Sequence, residues 1–210
     1  MIGILSIIPS GSNTFESDGN QIIDLYKGGE KAIIKQQLMS LSVTIWNGTR
    51  PRDIDNKLLD SLMVKVDSEN HTHAHTVRLI AVYYHLDNGN IDEAEVILDS
   101  LIEDLEKERN TLLDGTVFAE KAFISAVYRS DFETAKAFLE KAKNGYVENQ
   151  TIARAESSFL IANGETDKGI SRAKQGLNVA DNSMDKGGAI FEKEILKQLS
   201  KGSLPSLVNC

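Results

Sequence analysis

Cysteine and proline are both scarce in this 210-residue sequence. The single cysteine, Cys210, cannot form a disulfide within the chain, and the cysteine clusters that hold zinc or iron–sulfur groups are missing. This usage fits a reducing compartment, and we expect a cytoplasmic location. Only 3 prolines and 15 glycines interrupt the chain, which leaves room for long helices.

The sequence also has fewer basic than acidic residues, and its apolar segment at the N-terminus is short. Lysine and arginine number 23 against 31 acidic residues, which gives a net charge of −8. A general nucleic-acid binder needs a basic face to displace counterions from phosphates, so this balance argues against that class of partner. The apolar segment 1–8 ends before Pro9, whereas a membrane span needs about 20 residues. The segment also lacks the features of a signal peptide.

Apolar residues recur at the spacing of one helix face, and alternating strand patterns are nearly absent. The spacing is clearest in three segments, 91–105, 132–142 and 170–180. Short polar breaks separate these segments from the helices before them. The breaks fall at Asn88-Gly89, Ser130 and Asn163-Gly164. We predict an all-α fold in which each break is a tight turn between antiparallel helices, and in which Asn90 with Glu93 and Ser130 with Glu133 are capping pairs.

Three small residues mark a repeat. Ala94, Ala135 and Gly169 align at the same point after successive breaks, with spacings of 41 and 34 residues. The second spacing is the tetratricopeptide period. A small residue here would let paired helices approach closely, and Leu98 and Leu139 would fill the core. We predict a tetratricopeptide-like helix-pair solenoid, with an irregular helical bundle as the alternative.

The chain is predicted to have four parts. They are an apolar and loop stub at 1–20, an irregular region of N-terminal helices at 21–65, the helical-repeat domain at 66–200 and a loose tail at 201–210.

The predicted repeats indicate where a peptide or protein segment would bind. In a helix-pair solenoid the first helix of each pair lines the concave face. The first helices are predicted at about 71–87, 112–129 and 149–162. Aromatic and arginine side chains most often dominate binding energy, so we expect Tyr84, Tyr128 and Arg154 to be partly exposed in this groove. The alternative is that the two tyrosines pack between repeats.

Two histidines form a candidate metal site. His71 and His75 would share a helix face, and two imidazoles at that spacing can bind zinc. No acidic residue follows His71, so the catalytic HExxH pattern is missing. The polar residues 67–70 before it favour solvated histidines in the first turn of a helix.

The N-terminal part carries three short motifs in order. Ile8-Pro9 ends the apolar segment, Ser17-Asp18-Gly19 follows a polar loop, and a helical pattern then closes at Lys27-Gly28-Gly29. These motifs resemble the downstream zinc-binding segment of bacterial site-2-type membrane zinc metalloproteases. In that family a hydrophobic helix ends near an Asn-Leu-x-Pro-like stretch, and a later acidic motif supplies a carboxylate to zinc. The stretch 48–53 resembles members with a helical-repeat extension.

The resemblance implies that Asp18 is the third zinc ligand and that residues 1–20 end a membrane-embedded protease core. This sequence departs from the family because it lacks HExxH and has Ser6 where asparagine is expected. Catalytic zinc takes about three protein ligands and a water, so no cofactor is expected in this chain alone. Asp18 would otherwise be a helix N-cap.

The leading hypothesis is therefore a non-catalytic interaction domain, the soluble extension of such a protease. In the alternative, the chain is part of an active zinc metalloprotease whose HExxH lies upstream or on another chain. A third hypothesis is a peptide-sensing regulator, which the absence of a basic recognition helix disfavours.

Overall fold

The structure is a computed structural model that describes residues 11–12, 15–16, 23, 26–69, 73–107 and 112–205. These residues hold nine α-helices of 11 to 17 residues, which confirms the predicted all-α fold. The helices are α1 Glu30–Trp46, α2 Asn56–Glu69, α3 Ala74–Asp87, α4 Ile91–Lys107, α5 Asp114–Ile124, α6 Phe132–Lys143, α7 Asn149–Ala162, α8 Thr166–Ala180 and α9 Lys186–Leu199. One minimal antiparallel pairing joins β1 (Gly11–Ser12) to β2 (Phe15–Glu16).

The described residues fall into two compact units. The first unit contains those of Met1–Val43 and Asp55–Val77, and the second those of Thr44–Ile54 and Arg78–Cys210. In the first unit Lys65 Nζ on α2 donates a hydrogen bond to Gln37 Oε1 on α1 at 3.0 Å. Both helices bury aliphatic side chains. The buried set is Ala32, Ile34, Leu38, Leu41, Leu59, Leu62 and Val66. The predicted boundary between residues 65 and 66 falls within α2.

Successive helices of the second unit turn back at the predicted breaks. Gly89 and Gly164 have φ angles of 76° and 86°, a left-handed conformation that glycine adopts without steric cost. After each, the next amide bonds to a carbonyl five residues back, Asn90 N to His85 O at 2.9 Å and Glu165 N to Leu160 O at 2.8 Å. These Schellman-type bonds satisfy helix-end carbonyls and end α3 and α7 sharply. The predicted turns are confirmed.

The break at Ser130 differs in detail from the prediction. Helix α5 continues into a π-helical turn, Ser125–Arg129, and Ser130 follows it with a left-handed φ of 53°. The N-cap of α6 is Asp131, whose side chain accepts a hydrogen bond from Thr134 N at 3.0 Å. The predicted Ser130 cap is therefore wrong by one residue, because Ser130 adopts the conformation that ends the preceding helix.

The aligned small residues lie where helices touch. Ala94, Ala135 and Gly169 are buried, as are Leu98 and Leu139. A Cβ atom on Gly169 would lie 2.9 Å from the carbonyl oxygen of Ser157, and the Ser157 hydroxyl donates to the Gly169 carbonyl at 2.6 Å. Backbone approach between α7 and α8 thus depends on glycine at this position.

Ion pairs set the direction of α4 against its neighbours. Arg78, early in α3, pairs with Asp104, late in α4, at 2.5 Å. Lys121 on α5 pairs with Glu95 at 2.9 Å and with Asp99 at 2.6 Å. Helix α4 therefore runs antiparallel to α3, and Arg78 and Lys121 both bind acidic side chains of the same unit.

Helix α9 completes the core of the second unit. Its buried side chains join the cluster formed by α3 to α8. They are Phe191, Ile195, Leu196 and Leu199. Leu204 packs against the same cluster and Pro205 is buried. The first half of the predicted loose tail is thus held against the core, and residues 206–210 lie outside the described part of the chain.

Candidate functional site

The structure places the three predicted partner-binding residues in different environments. Tyr84 and Tyr128 are partly buried. Arg154 is fully buried, with 0% of its side chain exposed, so the expectation that it is partly exposed is wrong. The reason is that two carboxylates on other helices bind its guanidinium. Asp18 and His71 lie outside the described residues, and their predicted roles stay predictions.

Arg154 belongs to a row of matched positions on alternate helices. Tyr83 lies on α3, Glu120 on α5, Arg154 on α7 and Glu192 on α9. The spacings are 37 residues from 83 to 120, 34 from 120 to 154 and 38 from 154 to 192. Each residue lies five to nine positions after the start of its helix. These four residues thus occupy similar positions on successive helix pairs. We call the four residues together the polar row.

Hydrogen bonds in the polar row centre on the guanidinium. Arg154 Nη2 donates to Glu120 Oε1 at 2.5 Å, and Arg154 Nε donates to Glu192 Oε2 at 2.6 Å. Thr151, one turn before Arg154 on α7, bonds through its hydroxyl to Glu192 Oε1 at 2.9 Å. Glu120 is 0% exposed and Glu192 is 4% exposed. Charged hydrogen bonds shielded from water in this way are among the stronger polar contacts in proteins.

Aromatic rings enclose the charged groups. The guanidinium carbon of Arg154 lies 4.1 Å from the ring centroid of Phe123 and 5.7 Å from that of Phe191. Tyr83 packs edge-on against Phe191 with ring centroids 6.3 Å apart, and Tyr128 packs edge-on against Phe123 at 5.7 Å. Cation–π contacts of this kind strengthen when they are desolvated. The rings exclude water from the guanidinium of Arg154, so the carboxyl groups of the two glutamates are its charged partners.

The π-helical turn places Tyr128 beside this centre. A π turn widens the helix by one residue, and such turns occur often at functional sites. Tyr128 lies in the turn Ser125–Arg129, and its neighbour Arg129 pairs with Glu95 Oε2 at 2.7 Å on α4. Burial raises the pKa of the Tyr128 hydroxyl, and the nearby Arg154 charge partly offsets that effect.

Burial and charge shift the pKa values in the polar row in different directions. Burial by itself lowers the pKa of Arg154, but the charges of Glu120 and Glu192 outweigh it and raise that pKa. Burial raises the pKa of Glu192, which the Arg154 charge opposes and the Glu120 charge reinforces. Burial also raises the pKa of Tyr83, and the charges of Glu120 and Glu192 raise it further. Arginine and tyrosine therefore keep their protons at neutral pH.

Three buried side-chain atoms on α5 and α7 have no hydrogen-bond partner within the described part of the chain. They are Glu120 Oε2, Arg154 Nη1 and Ser158 Oγ. Ser158 lies one turn after Arg154 on α7 and is fully buried. The bonding capacity of the polar row is therefore only partly used.

A second cluster ties the segment 44–54 to the rest of the second unit. Arg50 donates from Nε and Nη2 to the two oxygens of Asp87 at 2.8 and 2.6 Å, and from Nη1 to Glu194 at 2.5 Å. The backbone amide of Arg52 also donates to Asp87 at 3.1 Å. The strong hydrogen bonds to Asp87 raise the pKa of Arg50 further, so this arginine stays charged. These hydrogen bonds hold Arg50 against Asp87 and Glu194, which are distant from it in sequence.

The chemistry that these groups support is limited. No group of three or more histidine, cysteine or acidic side chains able to hold a metal ion occurs among the described residues. The polar row combines a cation, two carboxylates and hydroxyls, but each carboxylate bonds to Arg154. The arrangement is suited to holding four helices in register.

Sequence reasoning missed the polar row as a unit. A charged residue on a helix is usually solvated, and nothing adjacent to Arg154 in sequence marks it as an exception. The available signal was its relation to Glu120 and Glu192, which lie one repeat length before and after it. Opposite charges at equivalent positions of successive helix pairs indicate a series of buried ion pairs between the helices.

Within the parts of the chain that the structure covers, no helix is both long and apolar enough to cross a lipid bilayer. Comparisons with known proteins find no family model, no curated protein and no solved structure that matches the chain. The resemblance to site-2-type metalloproteases therefore stays a prediction from the short motifs in the N-terminal part.

Proposed function

We propose that this chain is a helical interaction domain that binds a peptide or protein segment and has no catalytic activity by itself. One observation carries the proposal, namely the use of matched positions on α3, α5, α7 and α9 to join successive helix pairs. Arrays of helix pairs rarely catalyse, and most use their surfaces for recognition. The architecture that we propose is a tetratricopeptide-like array of helix pairs, closed by the contact of Tyr83 on α3 with Phe191 on α9.

The location proposed for the partner changes with the burial of Arg154. A fully buried guanidinium cannot contact another molecule without the opening of the core. Tyr84 and Tyr128 keep some exposure, and they remain the proposed contact residues. Of the two, Tyr84 is the better candidate, because Tyr128 packs against Phe123.

The family relation is a separate proposal. The motifs around Ile8-Pro9 and Asp18 support an extension of a site-2-type metalloprotease, with the protease core as the membrane partner. Zinc would enter only with that core. The alternative with Asp18 as a zinc ligand rests on the same short motifs, and no described residue favours it.

The proposal is tested with a peptide array. The labelled full-length chain is titrated over immobilised amphipathic helical and extended peptides, after its helical content is verified by circular dichroism. We expect saturable binding to a sequence-related subset of the peptides, weakened at least tenfold by Tyr84→Ala. Tyr146→Ala is the matched control, because Tyr146 is 62% exposed and lies on the loop before α7. A folded sample without saturable binding to any peptide would contradict the proposal.

A further inference from the structure

The charges of the polar row do not balance. One guanidinium, that of Arg154, faces the carboxyl groups of Glu120 and Glu192, and all three side chains are shielded from solvent. With both carboxyls ionised, the centre would hold one uncompensated negative charge. Burying an unpaired charge is costly, and proteins commonly avoid that cost by neutralising the group.

Among the described residues, Arg154 is the cation that pairs with both Glu120 and Glu192. Tyr83 on α3, Tyr128 in the π turn and Thr151 and Ser158 on α7 contribute neutral hydroxyls. The neighbours of Glu192 on α9 face elsewhere. They are Lys193, which pairs with Asp181, and Glu194, which pairs with Arg50. Where helix α8 meets α9, Gly176 lies beside Leu196.

We propose that the polar row is a proton-binding site, which holds one proton between Glu192 and Glu120 and is thereby electrically neutral. The geometry assigns the proton to Glu192 Oε1, because Thr151 Oγ lies 2.9 Å away and a hydroxyl can accept as well as donate. Protonated Oε1 donates to Thr151, while Oε2 keeps its bond from Arg154 Nε. Glu120 Oε1 keeps its bond from Arg154 Nη2.

The raised pKa of Glu192, which burial causes, agrees with this assignment. The proton then links α9 to α7 in a pH-dependent way. A carboxyl whose pKa is raised by folding contributes stability that is fully present below its unfolded pKa, and that stability is lost as the pH rises through the folded pKa. Alkalinisation thus ionises the second carboxyl and weakens the attachment of α9.

The direct test is a carbon-13 NMR titration of the full-length chain with labelled glutamate carboxyls. We expect one carboxyl resonance to titrate above the ordinary glutamate value, and to be missing in Glu192→Gln. Glu103→Gln, at an exposed position of α4, is the matched control and should leave that resonance unchanged. If every glutamate resonance titrates at or below the ordinary value, the proposal is wrong.

Urea unfolding gives a second readout that does not require assignments. Between the ordinary and the raised pKa, the unfolding constant of the wild-type chain should rise about tenfold per pH unit relative to that of Glu192→Gln. Glutamine has the same shape as the protonated acid, so it preserves the bonds to Arg154 and Thr151. A ratio of the two unfolding constants that does not change with pH would overturn the proposal. If Glu192→Gln does not fold, the wild-type NMR titration alone decides.

Discussion

Arg154 and Glu192 lie 38 residues apart in sequence, yet Arg154 Nε donates to Glu192 Oε2 at 2.6 Å inside the core of the second unit. The contact joins the helix at the middle of the array to the helix that closes it. Ring faces of Phe123 and Phe191 flank the same guanidinium. The stability of the unit should therefore depend on this single cation more than on any surface ion pair.

Replacing Arg154 with methionine should strongly destabilise the second unit. The substitution preserves much of the side-chain volume but leaves Glu120 and Glu192 without their cation. Removing one partner of a buried ion pair costs about 3–5 kcal/mol in the free energy of unfolding. Urea unfolding at neutral pH measures the loss. Arg129→Met is the control, since its pairs are near the surface and should contribute less than about 1 kcal/mol. Equal losses in the two variants would contradict the prediction.

Tyr128 should contribute to the stability of the fold, whereas Tyr84 should behave as a surface residue. Tyr128→Ala removes a ring that packs edge-on against Phe123, and we expect a loss of about 1–3 kcal/mol. Tyr128→Phe keeps the ring and should retain most of this stability. Tyr84→Ala should change the melting temperature much less. Thermal unfolding of the three variants provides the measurement, and a large fall for Tyr84→Ala would place that residue in the core as well.

Gly169→Ala should destabilise the α7–α8 pair despite the better helix propensity of alanine. The added methyl would lie 2.9 Å from the Ser157 carbonyl oxygen and even closer to Ile161, so the helices must separate. Overpacking of this kind costs about 1–3 kcal/mol. Ser171→Ala, at an exposed position two residues further along α8, is the control and should be neutral or slightly stabilising. A Gly169→Ala chain as stable as the control would show that the interface yields without cost.

Acid should weaken the α4–α5 contact through Glu95. Burial raises the pKa of this carboxyl, but hydrogen bonds from Lys121 and Arg129 outweigh the burial and lower it. A lowered pKa gives stability that is present above the ordinary value of 4.5 and is lost as the pH falls through the folded value. On acidification below that value, the wild-type chain should lose more stability than Glu95→Gln. Identical acid unfolding curves for the two proteins would exclude this contribution.

The local features of the fold follow from the sequence, and the long-range ones do not. Helix faces and turns depend on neighbours within a few residues, which is why the breaks at Gly89 and Gly164 are predicted correctly. The cap at Ser130 is wrong because a left-handed residue and an N-cap compete for adjacent positions, and the structure gives the cap to Asp131.

The environment of Arg154 depends on Glu120 and Glu192, more than thirty residues away on either side. A prediction for one helix treats its charged residues as solvated, because the partners that would bury them belong to other helices. The same limit applies to the π turn at 125–129, which depends on how α5 packs. The polar row was thus predictable only from an alignment of all the helix pairs with one another.

The contact between Tyr83 and Phe191 restricts how this array could change in evolution. Open helical arrays gain and lose copies of their unit freely, because each copy contacts only the next. Here α3 touches α9, so the first and last alternate helices of the second unit depend on one another. Duplicating a helix pair between them would move Glu120 or Glu192 one copy away from Arg154 and leave buried charges unmatched. The polar row therefore fixes the copy number, and any lengthening of the array must occur outside α3 and α9.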